Sequence, residues 1–415
     1  AERTLESLIE GLQESFDIAE LSAIITHWLQ NPSGKTPLMT QELERVAKHK
    51  LKNIWRIEEG VSEGNPIEGQ PKRIRSNLDW DMFPYPPQKK RDITFIDLFA
   101  GIGGFRQAFQ NLDAKCIFTS EWDKHAQQTY QSNYGETPFG DIRKIPKTEL
   151  PDHDILCAGF PCQPFSLAGV SKKNALGQRH GFDDKTQGTL FFDIKEILRV
   201  KRPAAFFLEN VKNLMSHDNY NTFRIIRETL IDELGYITNW AIVDGANWVP
   251  QHRERIFIVG YNPDLVEIED KDEIIIPKTP PEGYKKPKLK DIVAKRIDGF
   301  TLGPGTWETL ERHKKHHSAK GQGFGYGLHK FPIRDDAVTR TISARYHKDG
   351  AEILIEQEGQ RPRFLSVVEA MQLQGYDPEK FSFPVSRTQS YRQIGNSVVV
   401  PAISATADEM AKFLR

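Results

Sequence analysis

The stretch Gly159-Phe160-Pro161-Cys162-Gln163-Pro164-Phe165-Ser166 holds one thiol between two prolines, directly after the apolar run Asp154-Ile155-Leu156-Cys157-Ala158. Such a cysteine fills a core poorly but sits well at the exposed end of a strand. A thiolate is a nucleophile where its surroundings favour the charged form, so Cys162 is a candidate for covalent chemistry. Other groups can join it. In Ala205-Phe206-Phe207-Leu208-Glu209-Asn210-Val211 a carboxylate, Glu209, ends another apolar strand. Gln251-His252-Arg253-Glu254-Arg255 adds two cations, Arg253 and Arg255, which alternation turns to one face of an extended segment. Between Ser166 and Gln187 a polar, glycine-bearing loop carries Lys172, Lys173 and Arg179, as a mobile lid touching phosphates would.

A second constellation suits a nucleotide. Asp97-Leu98-Phe99-Ala100-Gly101-Ile102-Gly103-Gly104-Phe105 follows an apolar strand and opens a helix, and its glycines let backbone approach a ligand. Glu121 ends the next strand, where a carboxylate can accept from two ribose hydroxyls. Trp122 beside it can stack on adenine, and Asp141 can accept from the adenine amino group. A tight turn, a surface glutamate and a core tryptophan explain each residue singly. Their joint placement at strand ends favours an adenosine site.

Those residues need a sheet to hold them. Strands are expected at Thr94–Phe99, Cys116–Ser120, Ile155–Ala158, Ala204–Leu208, Tyr236–Val243 and Arg255–Gly260. Helices are expected between them at Gly104–Leu112, Lys124–Tyr134, Thr189–Arg199 and Tyr220–Leu234. The alternation predicts an α/β, doubly wound, mostly parallel sheet, with ligands beyond the carboxyl ends of its strands. Parallel strands then place Cys162 and Glu209 on one rim.

Around this catalytic domain, residues 92–260, three further regions are expected. Residues 1–57 read as helical from Leu5, Leu8, Ile9 and Leu12, from Ile18, Leu21, Ile25 and Trp28, and from Thr40 as a cap before Leu43, Val46, Ala47 and Leu51. Residues 58–91 read as a Gly/Pro/Glu-rich linker, and 261–360 as a loop-rich module. Residues 361–415 regain helical periodicity at Ser366–Leu373 and after Pro401, as a segment returning to the catalytic domain.

Composition bounds the partners. The net charge of −1 over 415 residues provides no global basic field, so a nucleic-acid surface must be local. From Glu308 to Asp349 there are nine Lys/Arg against five Asp/Glu, with five histidines, enough for a local patch that follows phosphates. Arg340, Arg345 and Lys348 are the candidates there for base or phosphate contacts. His313, His316 and His317 have no cysteine nearby, and no metal is expected there. Three cysteines fit a reducing cytoplasm, and no apolar run approaches the length of a membrane span.

The ordered blocks Asp97–Phe105, Glu121-Trp122, Gly140-Asp141-Ile142, Gly159–Ser166, Gln187–Phe191, Glu209-Asn210-Val211, Gln251–Arg255, Arg363–Gly375 and Gly395–Pro401 make residues 92–415 similar to DNA cytosine-C5 methyltransferases. Ser166–Asn174, Gly323–Gly327, Arg340–Arg345 and Asp349–Leu354 resemble the bacterial Dcm-type subgroup. The resemblance implies a Rossmann-like domain for S-adenosylmethionine and a smaller target-recognition domain. It implies a CCWGG, CCNGG or shorter CCGG target with the inner cytosine methylated. Residue by residue it implies cofactor contacts at Phe99, Gly101, Gly103, Glu121, Trp122, Asp141, Ile142, Pro161, Leu190, Asn396 and Ser397. It places Cys162, Glu209, Arg253 and Arg255 in catalysis, and Ser166, Lys172, Lys173 and Arg179 on DNA. It implies a monomer on duplex DNA in the bacterial cytoplasm, with a restriction endonuclease of the same system that is not physically bound. Two alternatives stand beside this reading: an RNA cytosine-C5 methyltransferase, and a methyltransferase whose N-terminal region also regulates transcription.

Overall fold

Short, nearly unbroken runs of buried residues make strands that need covering helices on both sides. Six such strands form one sheet: β1 (Thr94–Leu98), β2 (Lys115–Ser120), β3 (Ile155–Gly159), β4 (Ala205–Val211), β5 (Ile237–Asp244) and β6 (Glu254–Tyr261). The computed structural model describes residues 18–50, 55–58, 61–62, 65–66, 73–76, 80–89, 92–160, 190–320 and 326–414. The strand order is β2-β1-β3-β4-β6-β5. Strands β2, β1, β3 and β4 run parallel, while β6 is antiparallel to both neighbours, with Arg255 opposite Val211. That reversal matters for the site. It brings the start of β6, with Arg253 and Arg255, to the rim where β3 and β4 end.

Alternation divides the core between two faces. Ile96, Leu156, Phe206, Leu208 and Ile258 face α1 (Ile18–Gln30), α5 (Leu190–Lys201) and α6 (Asn221–Glu228). Phe95, Cys157, Phe207, Phe257 and Val259 face α3 (Gly104–Gln110) and α10 (Val400–Leu414). The C-terminal helix therefore completes the packing of a sheet whose first strand lies some three hundred residues earlier. α4 (Lys124–Tyr134) opens with Asp123 as its cap, the carboxylate accepting from the His125 and Ala126 amides.

Two regions differ from the expectation. The end of the stretch read as helical and the stretch read as a linker contain short antiparallel pairs: Trp55–Glu58, where a helix was expected to Ile57, with Arg73–Ser76, and Val61–Ser62 with Asn65–Pro66. Trp55-Arg56-Ile57-Glu58 and Arg73-Ile74-Arg75-Ser76 alternate apolar and charged residues, a period-two signal that overall composition conceals. The module read as loop-rich holds a 16-residue helix, α7 (Pro304–Ala319). Only Leu310 of that helix is fully buried, so its apolar periodicity is faint, although Pro304 in the first turn is a start signal. A small sheet, β7 (Leu328–His329), β8 (Leu354–Gln357) and β9 (Gln360–Arg363), lies beside it in sequence. Then follow α8 (Val367–Gln372) and α9 (Arg387–Asn396). The expected helix at Leu5–Leu12 lies outside the described residues; α2 (Gln41–Lys50) is present, with Thr40 Oγ1 accepting from the Leu43 amide at 3.1 Å.

Candidate active site

The carboxyl ends of β1, β2, β3 and β4 and the start of β6 enclose a cavity of about 720 Å³. That volume lies in the range of small-molecule sites. One end is built by the turn after β1. Phe99 has φ 54°, an uncommon conformation for a side chain with a Cβ, and Gly101 and Gly103 have φ 56° and 83°. The Gly101 amide donates to Glu121 Oε2 at 2.8 Å, and the Asp123 amide donates to Oε1 at 2.8 Å. Glu121 is thus fixed at the rim; burial raises its pKa while those two amides oppose the rise. Trp122, 69% exposed, stands beside it with a free face for stacking. Ile142, Leu190, Asn396 and Ser397 also line the cavity.

Asp141 differs from the expectation in one respect. Arg143 Nε donates to Asp141 Oδ1 at 2.9 Å and Nη2 to Oδ2 at 2.6 Å, which lowers the carboxyl pKa. Its charge is already answered within the chain, because a carboxylate two residues before an arginine on a tight turn meets it bidentately.

The other end of the cavity carries the catalytic candidates. Glu209 Oε1 lies 3.0 Å from Arg255 Nε, with both side chains largely buried. Burial raises the Glu209 pKa, and Arg255 and then Arg253 partly offset it. Its second oxygen faces Gly159, where a Cβ would come within 3.3 Å of Oε2. Cys162 lies outside the described residues, but its approach is described. Asn210 Nδ2 donates to the Phe160 carbonyl at 2.8 Å and Asn210 Oδ1 accepts from the Val211 amide at 2.7 Å. Asn210 therefore pins the end of β3 to the end of β4, two residues before Cys162. Sequence reasoning valued this block only for Glu209. The signal for Asn210 was an amide side chain at a strand end, where an unpaired carbonyl needs a donor.

Arg253 takes a different part from Arg255. Fully buried, it donates to the carbonyls of Ile342 at 3.0 Å, Gly395 at 2.8 Å and Ser397 at 2.6 Å. It ties the start of β6 to the end of α9 and to the segment 339–344. Gln251 reinforces the seam, accepting from the Ile342 amide at 2.8 Å and donating to the Leu373 carbonyl at 2.7 Å. Gly395 allows the close approach: a Cβ there would lie 2.3 Å from the Ala344 nitrogen. Ser397 turns its hydroxyl to Tyr376, 2.7 Å away, rather than into the cavity. Sequence alone cannot reveal these partners, because they are backbone carbonyls distant in the chain.

Thr341, Ile342, Ser343 and Ala344 line the cavity, and the exposed Arg340 and Arg345 bracket them, with Lys348 exposed one turn on. Pro161, Ser166, Lys172, Lys173 and Arg179 lie outside the described residues. The described arrangement offers a raised carboxyl beside an arginine, a fixed carboxylate beside an exposed indole, and cations at the mouth. It can protonate or hydrogen-bond a planar ring at one end while holding a nucleoside at the other.

Comparisons with known proteins identify the family. The family described as C-5 cytosine-specific DNA methylase matches residues 93–412. A DNA-cytosine methyltransferase of Escherichia coli K12 is 45% identical over 382 residues, covering 79% of each chain. The Type II methyltransferase M.SsoII of Shigella sonnei is 45% identical over 374 residues, covering 89% of this chain and 92% of its own. Among solved structures, the Dnmt2 methyltransferase of S. pombe has a TM-score of 0.58 at 16% identity, over 77% of this chain and 98% of that one. At that identity the likeness speaks for the fold alone.

Proposed function

Because this chain belongs to the C-5 cytosine-specific DNA methylase family, and is a DNA cytosine methyltransferase, we propose that it methylates the inner cytosine of a short CCWGG or CCNGG duplex site through a covalent bond from Cys162 to carbon 6. S-adenosylmethionine, when bound, supplies the methyl group as an electrophile. The turn at Gly101 and Gly103, the fixed Glu121 carboxylate and the exposed Trp122 suit the adenosine half of that cofactor. Phe99, Ile142, Pro161, Leu190, Asn396 and Ser397 complete the proposed contacts, with Asp141 restrained by Arg143.

Carbon 5 of cytosine is a weak nucleophile. Attack of the Cys162 sulfur on carbon 6 forms a C–S bond and moves the ring π electrons to carbon 5. Glu209 donates to N3 as negative charge develops, and Arg255 holds Glu209 and the ring oxygen O2. Arg253 orients the rim through its three carbonyls. Once carbon 5 carries the methyl group, loss of its proton to a base or water expels the Cys162 thiolate by elimination. The ring is unreachable inside a stacked duplex, so it must be flipped into the cavity, at a cost of a few kcal/mol. Ser166, Lys172, Lys173, Arg179, Arg340, Arg345 and Lys348 are the proposed DNA contacts that offset it. The Type II names among the relatives support a companion endonuclease.

The observation that carries this reading is the Glu209–Arg255 pair, with one carboxylate oxygen turned toward Gly159 at the strand end leading to Cys162. Incubating the protein with plasmid and S-adenosylmethionine, followed by bisulfite sequencing, tests it. Protected inner cytosines confined to CCWGG or CCNGG are expected. Protection of other sequences overturns the target, and protection of none overturns the reading.

A further inference from the structure

Every residue of α1 from Leu21 to Gln30 is buried, and its polar side chains meet the loop that shapes the cavity's cofactor end. Thr26 Oγ1 accepts from the Thr137 amide at 3.0 Å, and Ser22 Oγ lies 2.8 Å from Thr137 Oγ1. His27 Nδ1 lies 2.8 Å from the Ala23 carbonyl, which can only accept, so the ring hydrogen sits there. His27 Nε2 is then free to accept from the Thr119 amide at 3.1 Å. Thr119 Oγ1 in turn donates to Glu136 Oε1 at 2.7 Å.

Gln30 carries the connection onward. Its Oε1 accepts from Arg106 Nη2 at 3.0 Å, and its Nε2 donates to the Tyr134 carbonyl at 3.0 Å. Arg106 opens the helix that follows the glycine turn, and it also holds Glu136 at 3.1 Å and the Tyr130 hydroxyl at 3.2 Å. Tyr134 reaches the turn itself: its hydroxyl donates to the Ile102 and Gly103 carbonyls at 3.2 and 3.0 Å. The fit is close, since a Cβ on Gly103 would lie 2.4 Å from the Tyr134 ring. Gly101, two residues earlier, donates to Glu121. One continuous set of buried contacts thus joins α1 to the turn and to the carboxylate beside Trp122.

We propose that Gln30 and His27 are positioning residues for the cofactor, so that the N-terminal helix sets affinity for S-adenosylmethionine without touching it. This rests on the reading of the Gly101–Glu121 end as the cofactor site. Burial alone would make α1 a packing element. The specific claim is that its polar side chains hold the turn in its binding shape, and preorganisation of that kind appears in affinity.

The test measures binding of S-adenosylmethionine by calorimetry on the full chain, with duplex DNA affinity measured separately by anisotropy. Gln30→Met keeps the shape and removes both hydrogen bonds. Buried hydrogen bonds of this kind are worth enough to weaken the cofactor roughly tenfold, while DNA affinity stays within about twofold. Lys35→Ala removes another N-terminal contact, to the Thr148 carbonyl, and should leave both affinities unchanged. His27→Ala should follow Gln30→Met. If Gln30→Met unfolds, Gln30→Glu replaces it; that side chain keeps the oxygen for Arg106 and loses the donor to Tyr134, and a smaller loss of roughly threefold is expected. Wild-type cofactor affinity in any folded variant of Gln30 overturns the proposal, and so does an equal loss of DNA and cofactor binding. Failure of the wild type to bind S-adenosylmethionine would instead overturn the assignment of the site.

Discussion

Two buried glutamates each meet an arginine in this protein, and their settings drive them in opposite directions. Glu136 is held by Arg106, by Thr119 and beside His27, and its pKa is lowered in spite of its burial. Glu209 is held by Arg255, and burial outweighs that arginine, so its pKa is raised. The difference lies in the number of partners. Several groups converge on one Glu136 oxygen, whereas among the described residues the second oxygen of Glu209 faces a glycine and the cavity. A carboxylate gripped by several buried partners stabilises a fold; one that meets a single arginine and lines a cavity can act on a ring placed beside it.

The same substitution at both positions separates these roles most sharply. Glu209→Gln should lower the methylation rate by about 10²- to 10⁴-fold, the range for a positioned acid or base, with the thermal midpoint nearly unchanged. Glu136→Gln should instead leave the buried Arg106 poorly paired and destabilise by about 3–5 kcal/mol, visible in a denaturant titration. If Glu136→Gln abolished turnover in a protein as stable as wild type, the contrast would fail. Arg253→Lys comes next: a point cation cannot meet three carbonyls in a fixed fork, so a loss of about 2 kcal/mol is expected, again by denaturant.

Acid and base should divide the two regions as well. Burial lowers the His27 pKa and lowers that of His153 to about 4. Both stay neutral in the folded protein as pH falls, while the unfolded chain takes up protons from about 6.5 downward. Stability should therefore decline on acidification, by about 1.4 kcal/mol per pH unit for each fully engaged histidine. Glu209 has the opposite sign: its raised pKa favours the folded state as pH falls, and its proton is lost as pH rises. Single-turnover rates should then fall on the alkaline side, and Glu209→Gln should flatten that limb. The smallest effect belongs to Thr40→Ala, which removes the cap of α2 and costs about 1 kcal/mol.

What sequence revealed follows the same division. All six strands were legible because burial in a sheet writes itself into short apolar runs bounded by polar residues. Glu209, Glu121 and Trp122 were legible because strand ends share a rim. The reversal of β6 was not, since pairing direction depends on a connection that returns from β5, and neither strand records it. Arg253 as a clamp was hidden for a related reason: its acceptors are carbonyls near residues 342, 395 and 397, which carry no side-chain signature. The buried faces of α1 were visible as periodicity, while the polar partners of His27 and Gln30 were not. Their burial leaves α1 no face for promoter DNA, which argues against the regulatory alternative for this helix.

The central claim is that Cys162 attacks cytosine while Glu209 assists. A duplex carrying 5-fluorocytosine at the inner position of CCWGG, incubated with the protein and S-adenosylmethionine and run on a denaturing gel, tests it most directly. Fluorine blocks the final elimination, so a stable protein–DNA adduct is predicted for the wild type, a slower one for Glu209→Gln, and none for Cys162→Ala. An adduct that survives in Cys162→Ala, or its absence from a wild type that methylates the unmodified duplex, would contradict the account.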